Sequence, residues 1–202
     1  MMTACPREFR GVHEGKRVFI LASGPSLKSH DLTPLSKRLT IGLNRSILAL
    51  PAPTYQCCMD HGLFEEYAAG LGNVRCLFTL EDRPWGIPLK LLGTEGWSWD
   101  LEQGVYSGYT IAYFALQLAV YLGFGEIYFL GLDLRLQNGD THFFGTDYRS
   151  KDHESTEFPK MHRMLSGASQ ILRDAGVRVF NCSPIAELPC FPTIAYEKAI
   201  AL

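Results

Sequence analysis

The chain alternates short apolar runs with stretches of mixed polarity, and most runs stop at a recognisable breaker. Arg17-Val18-Phe19-Ile20-Leu21-Ala22 is continuously apolar after its first residue, which suits a strand covered on both faces of a sheet. It stops at Ser23-Gly24-Pro25-Ser26, and Leu27 to Lys37 reads as short helical or irregular chain. Leu39-Thr40-Ile41-Gly42-Leu43 is a second strand, ending at Asn44, with a helical turn from Ser46 to Leu50 stopped by Pro51 and Pro53. Tyr55-Gln56-Cys57-Cys58-Met59 is a third, ending at Asp60, and residues 61–69 read as helical, closed by Gly70 and Gly72. Val74 to Leu80 is a fourth strand. Glu81 to Tyr106, with Pro84, Pro88 and all three tryptophans, reads as one long loop, and loops of that length inside a domain are usually functional or partly structured. Ser107 then fits the N-cap of a buried helix from Gly108 to Leu122. Ile127 to Leu132 is the most buried-looking strand and ends at Asp133. A polar, histidine-rich loop runs from Gln137 to about Thr156, a helix from about Lys160 to Ala175, a last strand from Val177 to Asn181, and a tail with a short helix follows. Strand alternating with helix predicts an α/β, Rossmann-like fold, a mainly parallel sheet with helices on both faces.

Composition adds bounds. With 47% apolar and 20% charged residues over 202 positions, the chain can bury a sizeable core, and residues 1–202 read as a single nucleotide-binding domain with its core at about 17–193. A net charge of −2 gives no overall basic field, so no nucleic-acid partner is expected. Residues 1–6 lack the charged-then-apolar plan of a signal peptide, so a cytoplasmic location is expected. The apolar stretch Tyr109 to Leu134 is broken by Gly123, Gly125 and Glu126, and its helical half reaches only ~20–24 Å, short of a bilayer core. It predicts a buried helix and a buried strand, with no transmembrane segment. The six cysteines form no C-x-x-C pair and read as reduced core thiols, with Cys57 and Cys58 facing opposite sides of their strand. A homo-oligomer is compatible with all of this.

The candidate chemistry lies where the apolar runs stop. Ligands of open parallel sheets sit beyond the carboxyl ends of the strands, and there stand Ser23-Gly24, Asn44, Asp60 and Asp133. In Ser23-Gly24-Pro25-Ser26, Gly24 permits close backbone approach and a positive φ, Pro25 suits a first helical position, and free N–H groups with the two hydroxyls suit phosphate oxygens. The same four residues also read as a plain tight turn, since they match neither G-x-G-x-x-G nor the P-loop pattern. Ser107-Gly108 at the helix start offers a second anion site or a simple N-cap. Asp133 suits a ribose, an acceptor hydroxyl or a metal. His142 and His153 are candidate general bases near neutral pH, or solvated loop histidines. Their spacing fits no zinc site, and no metal site is assigned. His162 reads as structural, and His13, His30 and His61 carry no functional reading. Trp85, Trp97 and Trp99 fit a lid or acceptor platform, or loop anchors.

Taken together, Phe19 to Leu27, Thr40 to Arg45, Ser107-Gly108 with its helix, Glu126 to Asp133 and the tail from Phe180 to Pro184 with Phe191-Pro192 resemble the MptE-like family, over about residues 17–193. Its namesake is an archaeal 6-hydroxymethyl-dihydropterin diphosphokinase. The same motifs resemble small bacterial sialyltransferases that use CMP-sialic acid. The second resemblance implies that Gly24, Pro25, Ser26, Asn44, Ser107 and Gly108 hold the nucleotide. It also implies a histidine base in the interval that contains His142, His153 and His162. This chain is shorter than those sialyltransferases and lacks a clear counterpart of their lid and membrane-associating C-terminal region, so sialic acid itself is not implied.

Three readings result. The leading one is a nucleotide-dependent transferase, a glycosyltransferase using a nucleotide-activated, CMP-type sugar. No cofactor is then tightly bound, and the partners are a small-molecule nucleotide donor and a hydroxyl acceptor. Asn44 and Asp60 would read base or ribose, and a histidine, with Asp133 orienting it or the acceptor, would deprotonate the acceptor. The second is ATP-dependent 6-hydroxymethyl-dihydropterin diphosphokinase, for which Mg²⁺ held by Asp60 and Asp133 is expected. The third is a non-catalytic nucleotide-binding module.

Overall fold

The computed structural model describes residues 4–145, 151–186 and 188–202, with the backbone course alone for 151–155. In chain order the strands are β1 (Arg17–Leu21), β2 (Thr40–Leu43), β3 (Tyr55–Cys58), β4 (Leu77–Leu80), β5 (Ile87–Leu89), β6 (Leu91–Gly93), β7 (Val105–Tyr106), β8 (Glu126–Leu130) and β9 (Arg178–Asn181). The helices are α1 (Gly62–Glu66), α2 (Ala68–Gly72), α3 (Ile111–Tyr121), α4 (Lys151–Asp174) and α5 (Tyr196–Ala201). Seven strands form one sheet in the order β5-β4-β3-β2-β1-β8-β9, with every pairing parallel. The architecture is Rossmann-like α/β, as the alternating pattern predicts.

The central strands are apolar on both faces because both are covered. Val18 and Ile20 of β1, with Ile127 and Phe129 of β8, join a core that includes most of α3 and Leu165, Ala168 and Leu172 of α4. Phe19 and Leu21, with Tyr128 and Leu130, join a second core with Leu27, Leu35 and the α5 residues Tyr196 and Ala199. The period-two alternation thus splits each strand between two layers. Cys57 and Cys58 divide in the same way between two cores, whereas Cys5 is exposed, against the expectation of a core thiol. All six cysteines are free thiols. Among the described residues, no helix is long and apolar enough to cross a membrane.

Three expectations about elements are corrected. The segment 81–106 is not one loop: β5 extends the main sheet, and β6 and β7 pair with each other. Gln117, buried in α3, holds this segment, accepting from the Ser98 and Tyr106 N–H groups (both 3.1 Å) and donating to the Tyr106 carbonyl (2.8 Å). The predicted helix 61–69 is two short helices, broken at Tyr67 (φ −124°, ψ 31°). Helix α4 starts at Lys151 rather than near Lys160, running through Pro159 at the loss of one rung of its hydrogen-bond ladder.

Candidate functional site

From β1, strands β2 to β5 step away on one side and β8 and β9 on the other, so the order reverses between β1 and β8. An open α/β sheet leaves a crevice at such a switch point, outside the carboxyl ends of the strands. A cleft of about 190 Å³ lies there. Its walls come from Ser23-Gly24 after β1, Asn44-Arg45 after β2, Asp60 after β3 and Gly131 to Leu134 after β8. Thr110 to Ala112 at the start of α3, Thr141, His142 and Phe144, and Glu157 with Met161 of α4 complete it.

The turn after β1 is built by close approach. Gly24 has φ −66°, so the positive φ expected of it is not used. Its N–H donates to the Gly131 carbonyl at 2.8 Å, and a Cβ there would lie 2.5 Å from that oxygen and 2.6 Å from Asp133 Oδ2. Glycine is needed because the turn presses on the end of β8. Pro25 opens a 3-10 turn over Pro25–Ser29, in the first-turn position expected of it. Ser26 turns inward: its N–H donates to Asp133 Oδ2 (2.8 Å) and its hydroxyl to Oδ1 (2.6 Å). The Ser183 hydroxyl donates to the same Oδ1. Asn181 carries the network on, accepting the Ser183 N–H and donating to the Leu132 carbonyl, both at 3.0 Å. Asp133 borders the cleft, yet it is 1% exposed and its oxygens already receive protein donors. Pro25 and Ser26 are not among the cleft's lining residues.

Asn44 ties the ends of β2 and β3 together. Its backbone is left-handed (φ 46°), a conformation asparagine tolerates better than most residues. Its Oδ1 accepts the Met59 N–H and its Nδ2 donates to Asp60 Oδ2, both at 3.2 Å, while Gln56 donates to its carbonyl at 2.9 Å. Behind Asp60, burial foremost and then the Asp60 charge push the Cys58 thiol up to about 12, which keeps it protonated. The next residue, Arg45, has a buried side chain paired with Glu66 (2.8 Å), and its guanidinium lies over the rings of Phe144 (5.5 Å) and Tyr67 (5.9 Å).

The segment after β8 folds back over the first turn. The Phe143 N–H donates to the Ser23 carbonyl at 2.8 Å, and His142 Nδ1 lies 3.2 Å from Ser23 Oγ. The His142 ring stacks on Phe144 with centroids 4.9 Å apart. Thr141 is buried, and its Oγ1 has no hydrogen-bond partner.

The structure therefore brings Ser23, Gly24, Asn44, Asp60, Asp133 and His142 to one cleft. Ser107 and Gly108 are not at the helix start. Their N–H groups donate to the Gly93 and Thr94 carbonyls at 3.0 and 2.8 Å, and the N-cap is Thr110, which accepts the Ala112 N–H at 3.3 Å. The helix end still faces the cleft, but through Thr110 to Ala112. His153 falls in the first turn of α4, and its side chain lies outside the described residues. The tryptophans do not line the cleft: Trp85 packs on Phe64 (5.1 Å) and Trp97 on Tyr113 (5.6 Å), which fits the anchor reading. No group of three or more histidine, cysteine or acidic side chains suited to a metal occurs among the described residues. Arg45, Thr141 and Phe144 were not singled out from the sequence. Arg45 follows Asn44 at a strand end and was within reach of that rule, whereas nothing marks Thr141 or Phe144 within a polar loop.

No family model matches the chain, and no curated protein matches it. Solved structures do, among them two complexes of one enzyme. The sialyltransferase CstII from Campylobacter jejuni, in complex with the substrate analogue cytidine-5'-monophosphate, superposes with a TM-score of 0.57 at 15% identity, over 90% of this chain and 86% of that one. The same enzyme in complex with CMP-3FNeuAc gives a TM-score of 0.54 at 14% identity, over 89% and 86%. At this identity the likeness shows the fold, and the chain has the fold of a bacterial sialyltransferase.

Proposed function

We propose that this protein is a glycosyltransferase that uses a nucleotide-activated sugar of the CMP type. The observation that carries the reading is the gathering of Ser23, Asn44, Asp60 and His142 at the β1–β8 switch point, in a fold shared with a transferase solved with CMP. The amino end of α3 at Ile111 and the Ser23 hydroxyl take the phosphate, and Asn44 with Asp60 take the nucleoside. In transfer, the acceptor oxygen bonds to the anomeric carbon of the sugar, the bond from that carbon to the phosphate oxygen breaks, and CMP leaves. The acceptor proton goes to His142. The His142 ring stands beside the Ser23 hydroxyl, its Nδ1 3.2 Å from Oγ. Asp133 acts one step away, by fixing the turn that carries Ser23.

The diphosphokinase reading needs Mg²⁺ on Asp60 and Asp133. Asp133 does not fit that duty, because Ser26 and Ser183 occupy its oxygens. The test is turnover of CMP-sugars in EDTA with hydroxyl acceptors. Release of CMP is expected, with kcat falling about 10²–10⁴-fold in His142→Ala. Transfer from ATP to a pterin alcohol that EDTA abolishes would overturn the reading, as would nucleotide binding without turnover of any sugar donor.

A further inference from the structure

Among the described residues, Thr141 has a feature shared by no other hydroxyl in the cleft wall. It is 6% exposed, it borders the cleft, and its Oγ1 has no hydrogen-bond partner. Buried hydroxyls are nearly always paired, because an unpaired one forfeits its hydration without return. The other polar groups around it are engaged. Asp133 receives Ser26 and Ser183, Asp60 receives Asn44, and Glu157 pairs with Lys160 at 2.9 Å. The hydroxyls of Ser23 and Thr110 contact His142 and the Ala112 N–H. Next to Thr141 stands a run of stacked groups, His142 on Phe144 and Phe144 under the Arg45 guanidinium. The carboxylates of the cleft thus already face donors, while Thr141 shares its wall with the Arg45 guanidinium, which also pairs with Glu66, and with the His142 ring. An anionic oxygen is the ligand atom this wall suits.

We infer that Thr141 is a positioning residue for the donor, its hydroxyl donating to a phosphoryl oxygen on the Arg45 side of the cleft. The inference rests on the reading that the cleft takes a nucleotide. It explains why a threonine rather than the isosteric valine occupies a buried wall position, since the hydroxyl contributes only when the phosphate is bound.

The test is calorimetric titration of CMP and of cytidine into the wild-type protein, Thr141→Val and Thr141→Ser. Thr141→Val is expected to weaken CMP about tenfold, the worth of one ordinary hydrogen bond, and to leave cytidine unchanged. Thr141→Ser is expected to keep wild-type affinity. The melting temperature of Thr141→Val without ligand is expected to equal or exceed that of the wild type, because an unpaired polar atom has been removed. Equal CMP affinity in the wild type and Thr141→Val overturns the inference and leaves the nucleotide reading standing. Parallel loss of CMP and cytidine places the contact on the nucleoside and overturns the phosphate assignment. Equal loss in Thr141→Ser and Thr141→Val assigns the residue to packing and also overturns it. Failure of the wild type to bind CMP overturns the nucleotide reading itself, and this inference with it.

Discussion

Asp133 and His142 both follow β8, both border the same cleft, and both look from sequence like polar residues placed for chemistry. Their surroundings differ. Asp133 sits at the centre of a closed network in which Ser26, Ser183 and Asn181 satisfy one another across the ends of β1, β8 and β9. His142 and Thr141 lie on a segment laid over the first turn, where the imidazole stands 3.2 Å from the Ser23 hydroxyl and stacks on Phe144, and the threonine hydroxyl has no partner. The first region is finished without a ligand, and in the second the Thr141 hydroxyl is left unpaired. Polar residues after β8 therefore serve two ends, fastening loops to the sheet and meeting substrate, and satisfaction by protein donors separates Asp133 from Thr141.

The comparison predicts opposite mutational profiles. The largest effect on stability is expected at Asp133. Asp133→Asn swaps one acceptor oxygen for a donor amide and leaves the Ser26 and Ser183 groups short of acceptors, at a cost of about 2–4 kcal/mol in urea unfolding. His142→Ala leaves the Asp133 network intact, and its cost in the same measurement is expected to be below about 1 kcal/mol. If the two costs came out equal, the division between a structural and a functional cluster would fail.

The smallest effect is a pH dependence next to the structural cluster. His30 packs its ring 4.9 Å from that of Tyr196, and burial lowers its pKa, opposed by the charges of Glu197 and Asp133. The fold favours the neutral ring, so the unfolded chain binds more protons between the depressed folded value and the ordinary histidine value. Stability is expected to be full above the ordinary value and to decline as pH falls through the folded one. Melting temperatures from pH 8 to pH 5 should show a gentler slope in His30→Phe than in the wild type. Identical slopes would remove His30 from the account.

The central strands were legible because a strand covered on both faces is apolar at successive positions, as β1 and β8 are. Strands β5 to β7 were not, being two or three residues long and interrupted by Pro88 and glycines. Their organiser, Gln117, stands inside an apolar helix where only the fold reveals its partners. The start of α3 was misplaced because Ser107 and Thr110 both suit a cap, and pairing with β6 decides between them. Within the site, the strand-end rule found Ser23, Asn44 and Asp60. It did not reveal that the Ser26 hydroxyl points inward, or that Gly24 is required by contact with β8 rather than by its φ angle. Thr141 was invisible, because an unpaired hydroxyl is a property of its surroundings and not of its neighbours in sequence.

Backbone amide shifts of the isotope-labelled protein, followed while CMP is titrated in EDTA, test the central claim most directly. The account predicts saturable changes concentrated at Ser23-Gly24, Asn44-Arg45, Thr110 to Ala112 and Thr141-His142. It predicts none at Lys16, Lys37 and Arg178, at the opposite end of the sheet. Changes at that opposite end, or no change at millimolar CMP, would contradict the claim that the β1–β8 switch point binds a nucleotide.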